Sequence, residues 1–548
     1  MGGLFVKKDL ARLIADANDP NAGEGGHGGG SLKRTLGAFN LTTLGIGAII
    51  GAGIFSLTGV AAALYAGPGI VYSFVVGGIL CAFAGLCYAE MAAMVPVAGS
   101  AYAYSYATMG EFIAWIIGWD LVLEYAFGAV TVSVSWSGYF MSLLAKSLHL
   151  PISDTVWRLT KGPWELVTLP SGQVVHGLWN LPASLVALLV ASILYKGMRE
   201  SAFANNLIVI LKVTIVLIFI LLGWGVIQHA NWIANPAAHG LAALVPPRGL
   251  ADVNGVPTAS YGIPGVLRGA AVVFFAYIGF DAVSTTAQEC KNPSRDLPIG
   301  ILSSLAICTA LYILMSLVMT GVSHYTSLNV PDPIAVGIDK IVTARHWGPA
   351  EAGVFTGTIK LGALAGLTSV ILVMMMGQTR VFYAMSKDGL LPWFGVAHPR
   401  FGTPYIATVL TGIFVAICGG LMPLSLVGEL VSIGTLLAFT LVCLGIPILR
   451  ITSPGVERPF KTPLYWFVSL AGAVSCLWVM CYLPVDTWLR LVIWLEVGLI
   501  IYSTYGWRKS RLADASRPRI HLALLVTALV ALVPTLIFAV RVFSRGAA

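Results

Sequence analysis

The stretch 45–55, which reads GIGAIIGAGIF, contains the residues of the chain best suited to binding a small anion. It lies in an apolar run over residues 39–64, long enough to cross a bilayer, which takes about 20 residues. Each glycine costs a helix about 1 kcal/mol relative to alanine. The N–H groups freed by a break in a membrane helix can bind a carboxylate. The alternative is that the small residues only allow close helix packing.

A second interruption is predicted at 274–281, which reads FFAYIGFD. Asp281 is the last residue of this stretch, and its side chain either braces the broken helix or faces a cavity. Paired interrupted helices in inverted halves are typical of the central site of a secondary transporter. The first and sixth spans are therefore predicted to form the binding site together.

Lys212 lies near the middle of the fifth apolar span, in LIVILKVTIVLIFILLG. A charge at a helix centre costs about 2.5–3.5 kcal/mol on insertion scales, which makes a functional role the default hypothesis. The lysine is interpreted as a proton-coupling group, or as a fixed positive charge in place of a sodium ion. The alternative is a side chain that reaches along its helix to the interface.

Other polar residues inside the spans have more than one interpretation. Glu124, one helical turn from Asp120, either lines the substrate pathway, pairs with a basic residue or holds a helix contact. Thr368 and Ser369 either support a cation or Lys212 beside the first span, or bond to their own helix carbonyls.

Glu90, Glu289 and Lys291 lie near span ends and are expected to be interfacial. Lys360, early in the eighth span, is expected to extend outward to the interface.

The composition indicates the class of protein in which these residues lie. Of 548 residues, 57% are hydrophobic and only 10% are charged, whereas soluble proteins have about 25% charged residues. We therefore predict an all-α polytopic membrane protein. The net charge of +8 comes mostly from short loops and does not indicate nucleic acid. The eight cysteines show no metal-ligand spacing, so they are interpreted as packing residues, and neither a metal nor a cofactor is expected.

About thirteen apolar spans are predicted by window length. The predicted organisation is a flexible cytoplasmic N-terminal tail (1–37), a first five-span repeat (38–228), a second, inverted five-span repeat (264–450) and additional C-terminal spans (463–548). Lysine and arginine concentrate in the loops of one side, which predicts a cytoplasmic N-terminus. We expect a multi-pass protein of the plasma, or inner, membrane.

At this point the chain resembles the amino acid–polyamine–organocation superfamily, and within it the bacterial type of cationic amino acid transporter. The resemblance rests on GIGAIIGAGIF, YAEMAAMVPVAGSAYAYSY at 88–106, IIGWDLVLEY at 116–125, Lys212, and FFAYIGFDAVSTTAQECKNPSRDLPIGI at 274–301. It covers residues 35–450 well and the last spans weakly. It implies a LeuT-type fold, a 5+5 inverted repeat with broken helices 1 and 6, here with about three extra C-terminal spans.

The resemblance also implies roles for residues of the two breaks. The backbone amides of Gly51, Ala52 and Gly53 would receive a substrate carboxylate. The amino group would be received by the backbone of four residues, namely Ile49, Phe275, Ala276 and Ile278.

Two side chains take roles from the same resemblance. Lys212 matches a family lysine linked to proton coupling, and Glu124 matches an acidic residue near the substrate.

The predicted function is secondary transport of cationic or small neutral L-amino acids by alternating access. The transport is predicted to be coupled to proton movement. The alternatives are an exchanger or facilitator without proton coupling and a non-transporting amino acid sensor. An enzyme is not expected, since GxSxG and HExxH motifs are absent. The expected partners are the amino acid, protons and the lipid bilayer, with a small membrane subunit or a homo-oligomer left open.

Overall fold

The architecture is known from a computed structural model that describes residues 6–8, 36–95, 100–148, 150–197, 202–248, 251–253, 256–258, 261–330, 332–511 and 535. Helices dominate it, as predicted. The main α-helices are α1 (Ala38–Ile49), α2 (Ile70–Met94), α3 (Ser100–Thr108), α4 (Glu111–Ser142), α5 (Leu181–Lys196), α6 (Ala202–Trp224), α7 (Gly262–Val273), α8 (Pro293–Val322), α9 (Pro333–Ala344), α10 (Pro349–Lys387), α11 (Tyr405–Leu421), α12 (Leu424–Thr452), α13 (Tyr465–Met480) and α14 (Val485–Ile501).

Seven helical stretches of the described chain are long and apolar enough to cross a membrane, which confirms a polytopic membrane protein. A pair bent by 115°, α13 with the helix from Val485 to Lys509, raises the number to eight if it counts as one span. The shorter helices α5 and α11 are also apolar. Of the predicted C-terminal spans (463–548), the part after Arg511 lies outside the described residues apart from Thr535.

The first span is interrupted where the glycines predicted it. Helix α1 ends at Ile49, and helical structure resumes at Gly53 as a wide π-turn, Gly53–Leu57, that leads on to Ala66. Ile50, which follows α1, has an extended ψ of 97°. Residues 50 and 51 therefore form a short irregular link inside a buried span.

The sixth span is interrupted as well. Helix α7 ends at Val273 and continues as two 3₁₀ segments, Phe274–Tyr277 and Asp281–Glu289. Gly279, between them, has φ +117°, which L side chains rarely adopt, and a Cβ there would lie 2.8 Å from the backbone carbon of Ala48. Glycine is thus required for the turn and for the close approach of span one.

Helix α4 lies at the centre of the bundle and packs against α5, α10, α11 and α12. Aromatic rings fill the space beside the sixth span, with Phe439 of α12 contacting Tyr88, Phe274 and Phe280 at ring-centroid distances of 5.0–5.4 Å. Offset and edge-to-face ring pairs of this kind add specific packing energy to area burial. The two interrupted spans are therefore held within a dense frame.

Two short antiparallel hairpins interrupt the connections between spans. Strand β1 (Leu166–Thr168) pairs with β2 (Val174–His176), with Val167 opposite Val175. Strand β3 (Ala251–Val253) pairs with β4 (Val256–Thr258). The end of the bundle that carries the β1–β2 hairpin and α9 is called the hairpin end below.

The opposite end of α4 is called the Lys8 end. Residues 6–8 belong to the tail predicted to be flexible, and they lie against the bundle here. The amide of Glu111, the first residue of α4, donates to the carbonyl of Val6. The Lys8 ammonium lies 2.7 Å from both carboxylate oxygens of Asp388, which also accepts from the Tyr102 hydroxyl.

Candidate substrate site

The candidate site lies where the two interrupted spans meet. Gly51, Ala52 and Gly53 precede or begin the resumed helix of span one, and amides in the first turn of a helix have no intrahelical acceptor. All three residues are buried. The local sequence thus presents N–H groups and the positive end of a helix dipole to the interior of the bundle.

Span six touches span one at the same level. A Cβ on Gly53 would lie 2.3 Å from the Cα of Ala276, so only glycine permits this approach. Phe275, Ala276 and Ile278 are at most 4% exposed. The structure therefore brings the predicted residues of both breaks together in a closed, buried centre.

Tyr312 of α8 joins the two breaks. Its hydroxyl lies 2.7 Å from the carbonyl oxygen of Ile49 and 2.9 Å from that of Ala276. These carbonyls are two of the acceptors expected for a substrate amino group. Each carbonyl oxygen has two lone pairs, so a contact with Tyr312 leaves room for a second donor.

Lys212 reaches the end of α1 rather than a bilayer interface. Its ammonium donates to the carbonyl of Gly47 at 2.6 Å and to that of Ile50 at 3.2 Å, and the side chain is fully buried. Carbonyl oxygens at the C-terminus of a helix carry the negative end of its dipole. The lysine ammonium therefore lies against the negative end of the α1 dipole.

Asp281 braces the break in span six. Its carboxylate accepts from the Tyr125 hydroxyl and, at 3.3 Å, from the amide of Gly279. The fully buried Glu124 carboxyl group faces that of Asp281 closely enough for the two to share a hydrogen bond.

The hydroxyls of Thr368 and Ser369 are directed to their own helix. Thr368 donates to Leu364 at 2.8 Å and accepts from the Trp136 indole at 3.0 Å. Ser369 donates to Gly366 at 2.9 Å. Their helix still contacts Lys212, because a Cβ on Gly366 would lie 3.1 Å from the lysine Cγ.

Comparison with known proteins adds the family. A family model described as amino acid permease matches residues 36–501, a range that contains both breaks, Lys212 and Glu124. This chain belongs to the amino acid permease family. The permease is accordingly an amino acid transporter and not an enzyme, as its sequence predicts.

The relatives of the permease are transporters of several named kinds. It is 41% identical to the methylthioribose transporter of Bacillus subtilis, over 93% of this chain and 100% of that protein. It is 42% identical to the branched-chain amino acid permease BcaP of the same species, over 93% of this chain and 99% of that protein. The vacuolar cationic amino acid transporter 4 of Arabidopsis thaliana is 34% identical, over 77% of this chain and 64% of that protein.

Sequence reasoning missed several residues that support the permease's site. Tyr312 lies in an apolar helix, so its sequence context indicates only a core residue. Tyr125 was overlooked because the charge of the neighbouring Glu124 is the conspicuous feature there. Glu90 and Lys360, expected at interfaces, are both fully buried. Glu90 pairs with Arg450 and Lys360 donates to Ser142 and Ser147, partners so distant in sequence that no local pattern indicates them.

Proposed function

We propose that the permease is a proton-coupled secondary transporter of L-amino acids, with Lys212 as the group that gains and loses the proton. The observation that carries this proposal is the contact of the Lys212 ammonium with the Gly47 and Ile50 carbonyls at the span-one break. Because these carbonyls are freed where α1 ends, the charge state of the lysine acts directly on the geometry of the substrate site.

The proposed binding mode uses backbone groups of both breaks. The amides of Gly51, Ala52 and Gly53 receive the carboxylate, as helix N-termini do for anions. The amino group is received by backbone carbonyls of span one (Ile49) and span six (Phe275, Ala276 and Ile278). This mode recognises the part common to all amino acids and leaves the side chain to other groups.

Glu124 is proposed to face the substrate side chain. Its carboxyl group is fully buried and faces that of Asp281, with which it can share one proton. Buried carboxyl groups with few donors are costly, and a donor on the substrate would stabilise them. A side chain with an ammonium or guanidinium group supplies such a donor, and a small neutral side chain leaves space for water.

Alternating access is proposed to occur between the two five-span units, 38–228 and 264–450, arranged as inverted repeats. Breaks in the first span of each unit support this arrangement. We further propose a plasma-membrane location with the Lys8 end cytoplasmic. This orientation is supported by basic residues at that end, Lys8, Lys387 and Arg511 among them, since cytoplasmic loops carry an excess of lysine and arginine.

The test is uptake of labelled alanine into liposomes that contain the purified permease, with and without an inward proton gradient. We expect alanine to accumulate only with the gradient, and a protonophore to abolish accumulation. Uptake that ignores the gradient but requires amino acid inside the liposomes would identify an exchanger. Alanine binding with no uptake under either condition would identify a sensor.

Competition in the same assay addresses specificity. Excess unlabelled valine, arginine and methylthioribose represent the substrates named for the relatives. We expect valine and arginine to reduce alanine uptake. Inhibition by methylthioribose alone would contradict the proposed recognition of the amino acid backbone, because that sugar has no amino acid carboxylate.

A further inference from the structure

The connection between α10 and α11, residues 388–404 at the Lys8 end, presents an exposed tryptophan on a strained turn. Trp393 is 74% exposed and has φ +56°, a backbone conformation that bulky L residues rarely adopt. The amide of Phe394 donates to the carbonyl of Pro392 at 2.7 Å, which closes a three-residue turn with Trp393 at its centre. Such turns with positive φ are rare and strained, and they persist only where the surrounding structure enforces them.

The residues after Trp393 hold this turn against α10. The ring of Phe394 packs against that of Phe382 at a centroid distance of 4.8 Å. A Cβ on Gly395 would lie 3.0 Å from the hydroxyl oxygen of Ser386, so the chain runs directly over the last turn of the helix. The fold thus enforces the turn and leaves the indole on the outer surface.

Two short helices set the depth of the connection in the membrane. Helices α5 and α11 have 16 and 17 residues, which at 1.5 Å per residue span about 24–26 Å. In the two-unit arrangement proposed above both helices cross the membrane, whose hydrocarbon core is about 30 Å thick. Helix α11 begins directly after the connection, and the Thr403 hydroxyl donates at 2.8 Å to the carbonyl of Tyr195, in the last turn of α5. Because such short spans cannot extend beyond the headgroups, the connection lies at headgroup depth.

Basic side chains flank the exposed rings of this face. Lys387, the last residue of α10, and Lys196, the last residue of α5, are both exposed. The Arg400 guanidinium lies 5.5 Å from the ring centroid of Phe401, which is 37% exposed. Within the described chain none of these three cations forms an ion pair, and Asp388, the one acid of the connection, is already paired with a lysine of the tail.

Aromatic rings and basic side chains at headgroup depth are the features that bind anionic phospholipids. Indole rings are enriched at the membrane–water interface, because one end of the ring system is apolar and the N–H group can stay hydrated. Lysine and arginine residues beside a span attract anionic headgroups. The surplus of positive charge on this face therefore favours an anionic lipid over a zwitterionic one.

We propose that this face, the lipid surface (Lys196, Lys387, Trp393, Arg400 and Phe401), binds anionic phospholipids of the surrounding membrane. Trp393 inserts its indole among the headgroups, and the three basic side chains bind phosphate groups. The proposal rests on the two-unit arrangement of the spans and is independent of the transported substrate and of proton coupling.

Binding of labelled lipid to the purified permease in detergent micelles tests the charge preference. Energy transfer from the tryptophans of the protein to pyrene-labelled phosphatidylglycerol reports binding, and phosphatidylcholine with the same label is the reference. We expect phosphatidylglycerol to bind more tightly, and Lys387→Gln and Arg400→Gln each to weaken its binding about fivefold, or ~1 kcal/mol. Lys340→Gln, which removes an exposed lysine of α9 at the hairpin end, is the matched control and should change nothing. Equal affinity for the two lipids, unchanged affinity in Lys387→Gln and Arg400→Gln, or an equal loss in Lys340→Gln would overturn the proposal.

The position of the Trp393 indole is measured in lipid nanodiscs, from the difference in fluorescence between the wild type and Trp393→Phe. We expect this difference to be quenched by lipids brominated near the headgroup and only weakly by acrylamide in the water. Quenching by acrylamide and not by brominated lipid would place the indole in water and overturn the proposal. Neither measurement uses alanine uptake, so a failure of the proposed transport function is distinguishable from a failure of the lipid surface.

Discussion

The ammonium group of Lys212 lies 2.6 Å from the carbonyl oxygen of Gly47. These residues belong to α6 and α1, so a side chain from the fifth span completes the end of the first. A fully buried ammonium is tolerable only where acceptors surround it, and the unwound end of α1 supplies them. The break in α1 and the lysine in α6 are thus parts of one structure.

Lys212→Met, which keeps the length of the side chain without its charge, should remove the response of alanine uptake to a proton gradient. Two buried carbonyls then lose their donor, at about 1–3 kcal/mol for each unsatisfied group. The measurement is the ratio of uptake with and without the gradient in liposomes. Lys360→Met, which also removes a buried ammonium, should lower the yield of folded protein but keep this ratio. A gradient response that survives in Lys212→Met would refute the coupling role.

Gly53→Ala should abolish alanine binding at the central site. The added methyl group would lie 2.3 Å from Ala276 Cα, a backbone atom that cannot move aside without opening the contact between the two spans. Binding is measured on purified protein by equilibrium dialysis. Gly357→Ala in α10 is the control, because nothing lies within 4 Å of its Cβ. If Gly53→Ala bound alanine at the central site as the wild type does, this contact would not define the site.

Lys8 and Asp388 should show a measurable coupling energy. Their side chains are 25% and 16% exposed, and Tyr102 adds a third hydrogen bond to the same carboxylate. For a partly buried pair with this support, about 1 kcal/mol is expected. Thermal unfolding of Lys8→Ala, Asp388→Asn and the double variant gives this value. The exposed neighbour Lys7→Ala serves as control, and strict additivity of the two changes would contradict the prediction.

Glu90→Gln should destabilise the permease strongly. Glu90 is fully buried, and the Arg450 guanidinium donates to its two oxygens at 3.0 and 2.7 Å. Removing one partner of a buried ion pair costs about 3–5 kcal/mol, and the partial exposure of Arg450 places Glu90→Gln near the lower end of this range. Unfolding temperature in detergent measures the effect, and the exposed Asp339→Asn is the control. A change in Glu90→Gln no larger than in Asp339→Asn would show that the pair contributes little.

The sequence allowed the spans and both breaks to be predicted, because apolar length and glycine content act locally. Lys212 and Glu124 were found for a similar reason, since a charge within an apolar run is costly and conspicuous. The mostly helical architecture was predicted from the same apolar spans.

The partners of these residues could not be predicted in the same way. Whether Lys212 reaches an interface or α1 depends on how α6 packs, and 165 positions separate the lysine from Gly47. Tyr312 resembles any aromatic residue of a buried helix until α8 is placed beside both breaks. The burial of Glu90 and Lys360 was not predicted for the same reason, because their partners come from remote parts of the chain.

The position of Tyr312 has a consequence that follows from counting protons. A phenol has one, so it donates fully to Ile49 or to Ala276 but not to both at once, although both oxygens lie within 2.9 Å. At any moment one of these carbonyls therefore lacks the Tyr312 proton. An incoming ammonium group, with three protons, can satisfy that carbonyl and leave the phenol to the other. The orientation of the Tyr312 O–H bond would then differ between the empty and the occupied site, and both interrupted helices contact this hydroxyl.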